Sequence, residues 1–305
     1  MRNTLDPSFL AVMIRFPILC LLALGPGLVP AEEPFRPNLG PDLPRITVRC
    51  GEVTLILRQL SQWTPGRIDY RGEPMTTEGS AYGTVFSFPG VGFIGTGHLE
   101  NEPEPLESLT FVLDGETIAS PGETLAGETF RFERVSRVRN FALKGVIELK
   151  DDRLYETATV STDEAAPLKL VYHFMHAWRP TVSAFLAASD DAPEESIGGE
   201  LRDTDDVARQ FYIRRRVDWV AVYEPESGQF AVSRLLETPE LGGHESMIWN
   251  VPGTYRKYYL KSFEGDTIPA GFEGTWRMVT GFGAAEPKQW EEGARRLAKA
   301  LREAK

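Results

Sequence analysis

The chain has 305 residues, with 33 Lys plus Arg against 44 Asp plus Glu and a formal charge of −11. So acidic a balance argues against nucleic acid as a partner, since binding a phosphate backbone needs clustered basic groups. Long polyanionic glycans also fit poorly unless a local basic patch overrides the repulsion, whereas neutral or small ligands fit better.

At the start of the chain, residues 14–31, IRFPILCLLALGPGLVPA, combine Arg15, a short apolar run, helix-breaking Gly and Pro, and the small residues Val29 and Ala31 before Glu32. Residues 1–31 are therefore expected to be a secretory signal peptide, with Met13 as an alternative start and a retained anchor helix as the alternative fate. The mature chain is expected to be secreted or periplasmic, without stable membrane insertion. Removing this segment leaves 31 basic against 43 acidic residues, a formal charge of −12. It also removes Cys20 and leaves Cys50 alone, so no internal disulfide and no Cys-based metal motif is expected. Cys50 reads as a small buried hydrophobe. Residues 32–44, EEPFRPNLGPDLP, have no period and read as a Pro-rich linker.

From Ile46 the pattern becomes short β-branched and aromatic runs separated by turn signals, among them VTLILR, YGTVFSF, FALKGVIELK, DWVAVYE and RKYYLKSF. That pattern predicts one all-β domain over residues 45–285, largely local and antiparallel. Phe141, Leu143 and Ile147 fall on one face of their run, with Lys144, Val146 and Glu148 on the other. Tight turns are expected at LDGE (113–116), KDDR (150–153) and EPESGQ (224–229). Helix is scarce. A short one is expected after Trp178, opened by Pro180 and running through TVSAFLAAS. A second is expected over 286–305, where Trp290, Ala294, Leu297, Ala298 and Leu301 share one face to pack on the domain.

Chemistry-bearing residues gather first in YHFMHAWRP (172–180), which holds two of the four histidines. Strict alternation sends Tyr172, Phe174, His176 and Trp178 to one face and Val171, His173, Met175 and Ala177 to the other. His173 then reads as core. His176 shares its face with aromatic rings at a strand end, where a sugar could stack its C–H face and bond its hydroxyls. His98 closes the glycine-rich GVGFIGTGH, whose other reading is a bulged strand ending in an exposed histidine. His244 and Glu245 follow two glycines at a loop entering a strand, a rim position. No metal-ligand spacing, nucleophile elbow, P-loop or dinucleotide fingerprint is present, so no metal and no cofactor is expected.

WTPGRIDYRGEPM (63–75), the histidine after a glycine-rich turn, HAW (176–178) and a late strand glutamate together resemble the galactose mutarotase-like superfamily, which includes aldose 1-epimerases. The resemblance spans roughly residues 45–283. It implies a large antiparallel β-supersandwich that binds carbohydrate on a concave face. It further implies His176 as the acid on the ring oxygen, His98 as the second histidine, Glu273 as the base on the anomeric hydroxyl, and Arg67 as a substrate contact. Where the family strand continues into asparagine, this chain has Arg179 and Pro180.

Three functions remain open on the sequence. One is epimerase-like acid–base chemistry on a neutral sugar by His176, His98 and Glu273. Another is a non-catalytic sugar-binding sandwich with Trp178, Tyr172 and Arg179 as its platform. The third is a lyase-like domain acting on uronates, with Arg214, Arg215 and Arg216 near the carboxylate. The expected partner is a carbohydrate ligand, and oligomeric state is not legible.

Overall fold

A computed structural model describes residues 45–78, 82–98, 101–119 and 124–303. The expected signal peptide (1–31) and linker (32–44) lie outside the described residues. Among the described residues the fold is all-β: a large antiparallel sandwich with one α-helix, at its C-terminal end. The described strands form sheets of five, ten and six strands plus a two-stranded ribbon. Among the described residues, pairing is antiparallel except where Thr47–Cys50 runs beside Thr124–Gly127.

The three expected turns are hairpins. Leu113 pairs with Glu116, Lys150 with Arg153 and Glu224 with Gln229. Asp114 and Gly115 have φ of 51° and 84°, and Asp151 and Asp152 of 53° and 54°. Positive φ at both central positions gives the turn whose twist matches that of its flanking strands. The stretch after Trp178 corrects the expected helix, because Ala184–Ala188 is a strand paired on both sides. Phe185 and Ala187 pack into one layer and Leu186 and Ala188 into another, a two-sided burial that only a period of two satisfies.

The six- and ten-stranded sheets pack face to face. Phe86 stacks on Phe141 with ring centroids 4.4 Å apart, and His173 stacks on Trp276 at 4.1 Å. The five-stranded sheet joins this core through Val48, Leu55 and Ile68, and through Tyr70 stacked on Phe282. Cys50 lies within it, where burial pushes the thiol up to about 11 and so keeps it unreactive. On the outer face of the ten-stranded sheet, the helix Trp290–Arg302 buries Trp290, Ala294, Ala298 and Leu301 against Tyr223, Phe230 and Val279. Leu297 is partly buried with them. Among the described residues, no helix is long and apolar enough to cross a membrane.

Candidate functional site

The strand Leu170–Trp178 lies inside the six-stranded sheet, between Val85–Phe88 and Tyr255–Ser262. Its pairing runs to His173 opposite Leu260 and resumes at His176 opposite Tyr258, so three steps on one strand match two on the other. Phe174, with φ of 54°, absorbs the extra residue as a β-bulge. The bulge breaks the expected alternation. Val171, His173, Phe174, His176 and Trp178 all face the layer between the sheets, while Tyr172, Met175 and Ala177 face outward.

On the inner face each histidine has a polar partner, although His176 Nδ1 is buried without one. His173 is fully buried, with Nδ1 3.1 Å from Thr84 Oγ1 and its ring on Trp276, and burial pushes its imidazole down to about 3. His176 sets Nε2 2.8 Å from Glu156 Oε2 of the ten-stranded sheet. This hydrogen bond links the two sheets. Beside the pair lies a cleft of about 30 Å³ lined by Glu156, Arg134 and Thr84, room for roughly one or two waters and far less than a sugar needs. Trp178 is buried edge-on to His176, away from any exposed stacking surface. Glu273 is exposed on the ten-stranded sheet, opposite Ser161. His98, His176 and Glu273 thus occupy three separate environments.

The outer face of the six-stranded sheet is different. Alternation along Tyr255–Ser262 directs Tyr255, Lys257, Tyr259 and Lys261 outward. An aromatic band crosses the sheet strand by strand. Phe93, 37% exposed, lies beside His98, and His98 stacks on Tyr82 at 4.2 Å. Tyr172 follows, 5.9 Å from Phe93 and 5.3 Å from Tyr259. Trp249 pairs across from Lys257, and Phe211, 42% exposed, stacks on Trp249 at the sheet edge. In the middle, the Lys257 ammonium sits 4.6 Å from the Tyr172 centroid, 4.9 Å from Tyr259, 5.5 Å from Tyr82 and 5.7 Å from Trp249. Burial pushes this ammonium down to about 7.

Further along the same strands the face becomes charged. Lys261 Nζ is 2.6 Å from both Glu245 and Glu264, and Arg214 reaches Glu264 at 2.9 Å. Lys261, Glu245 and Glu264 border a surface groove of about 450 Å³ that also holds Arg216, Gly242, Gly243 and His244, a volume in the range of small-molecule sites. Gly242, at φ 92°, lets the loop pass over Phe263, where a Cβ would meet the ring at 2.4 Å. His244 is half-buried, its imidazole held below the usual range by burial and by Arg216.

Of the expected contacts, the structure brings Tyr172 and His98 to the aromatic band, and His244 and Glu245 to the adjoining groove. It does not bring Arg67 or Arg179 there. Arg67 is clamped by Asp69 at 2.6 and 3.0 Å in the five-stranded sheet, and Arg179 is 3.5 Å from the Pro74 carbonyl. Sequence reasoning missed Lys257, Tyr259, Trp249 and Tyr82. The available signal was RKYYLK, in which lysine and tyrosine alternate on one face of a strand. Among the described residues, no three His, Cys, Asp or Glu side chains converge as a metal site.

No protein-family model and no curated protein matches the chain. Solved structures do. The Slr1438 protein of Synechocystis sp. PCC 6803 is 10% identical with a TM-score of 0.50, over 84% of this chain and 99% of that one. A putative aldose 1-epimerase from Escherichia coli K12 is 11% identical with a TM-score of 0.43, over 80% of this chain and 100% of that one. A galactose mutarotase related enzyme from Lactobacillus acidophilus is 11% identical with a TM-score of 0.46, over 80% and 99%. At such identities the likeness is one of fold alone, shared with the Slr1438 protein over most of both chains.

Proposed function

We propose that the chain is a carbohydrate-binding protein whose ligand lies on the outer face of the six-stranded sheet. The aromatic band from Phe93 to Phe211 carries this reading. Rings exposed at both of its ends can stack on the C–H faces of sugar rings, and His98, His244 and the Lys261–Glu245 pair supply polar atoms for hydroxyls. Binding is favoured over epimerase-type turnover, because the expected acid is tied to Glu156 between the sheets while the expected base is exposed on another sheet. The inner cleft lined by Glu156 holds about 30 Å³, less than a sugar ring needs.

Calorimetric titration with a panel of mono- and oligosaccharides tests the reading, with polarimetry run alongside. Heat of binding is expected, without acceleration of anomer interconversion. Trp249→Ala should weaken binding about tenfold or more, as loss of a stacking ring does. A panel that gives no heats would contradict it. We also propose that the chain acts outside the cytoplasm, a reading supported by Val29 and Ala31 before Glu32. Intact-mass measurement of exported protein should show a start near Glu32, and a secreted species retaining residues 1–31 would refute cleavage.

A further inference from the structure

We infer that the sugar taken up on this face carries a carboxylate, and that Lys257 is the group that receives it. The inference rests on the carbohydrate reading above and narrows its ligand class. Lys257 is 7% exposed and walled by Tyr82, Tyr172, Tyr259 and Trp249. Among the described residues, no carboxylate lies within ion-pair distance of its ammonium. Its neighbours on the same face are compensated: Lys261 has Glu245 and Glu264, and Arg214 has Glu264.

Ring faces attract a cation, yet they return only part of what an ammonium loses on leaving water. The remainder is supplied by an anion arriving with the ligand. A lone ammonium beside stacking rings matches one negative charge on a sugar ring, as in a uronic acid. The cage also explains why lysine suits this position better than arginine. Its single point charge sits 4.6 to 5.7 Å from four ring centroids, whereas a planar guanidinium would stack on one ring face.

Matched sugar pairs test the inference by calorimetry: glucuronate against glucose and galacturonate against galactose, with the wild type, Lys257→Met and Lys257→Arg. In the wild type the acid of at least one pair should bind about tenfold or more tightly than its neutral partner. Lys257→Met should lose the preference for the acid within each pair, and Lys257→Arg should restore it in part. Circular dichroism and melting temperature confirm that each variant is folded. Equal affinities within both pairs would overturn the inference while leaving the carbohydrate reading intact. A preference that survives Lys257→Met would overturn the role of Lys257. Absence of binding by every sugar would remove both.

Discussion

The two faces of the six-stranded sheet are built from the same strands and hold similar residue types, yet they differ in whether their buried ionisable side chains have a polar partner. On the inner face His173 has Thr84 and Trp276, and His176 has Glu156. On the outer face Lys257 has only aromatic rings among the described residues. A buried polar group that the fold itself completes is part of the packing, whereas one left incomplete at a surface rich in rings marks where a ligand can complete it.

The largest stability effect is therefore expected on the inner face. His176→Ala leaves the Glu156 carboxylate buried without its partner and should cost about 3–5 kcal/mol in urea unfolding. Replacing both partners, as in His176→Phe with Glu156→Leu, should cost less than His176→Ala alone, because no polar group is then stranded. A double variant that is worse than the single would break the distinction between the faces.

Acid should act on the inner face next. The His173 imidazole is pushed down to about 3 by burial, against an ordinary value of about 6.5. The unfolded chain therefore takes up this proton first. Stability should fall as pH drops from about 6.5 toward 3, with a contribution of up to roughly 1.4 kcal/mol per pH unit. Urea unfolding at several pH values would show it, and His173→Gln should make the slope shallower by one proton.

The smallest stability effects belong to the outer face. Lys257→Met keeps the methylene chain against the rings and removes a desolvated ammonium, so stability should change by less than about 1 kcal/mol, toward greater stability. Phe211→Ala, at an exposed edge position, should stay within about 0.5 kcal/mol while weakening sugar binding. A loss of several kcal/mol in either variant would mean that the outer face is packing rather than site.

Features decided by neighbouring residues were legible in the sequence. Asp114–Gly115 and Asp151–Asp152 announce their hairpins, and the spacing of Trp290, Ala294, Ala298 and Leu301 announces the helix they bury. The bulge at Phe174 was not legible, since phenylalanine carries no local signal for positive φ and the sheet on either side imposes it. That single residue moved Tyr172 and His176 to opposite faces. The Lys257 cage was illegible for a related reason. Its rings come from positions 82, 172, 249 and 259, which meet only once the strand order is known. The misread stretch after Trp178 shows the converse. AFLAA suits either period, and layers on both sides decided it as a strand.

The most direct test of the central claim is a crystal structure of the protein with a bound acidic sugar. The account predicts density on the outer face of the six-stranded sheet, with the sugar ring against Trp249 or Tyr259 and its carboxylate within hydrogen-bond distance of Lys257. Density between the sheets, against His176 and Glu156, would contradict it.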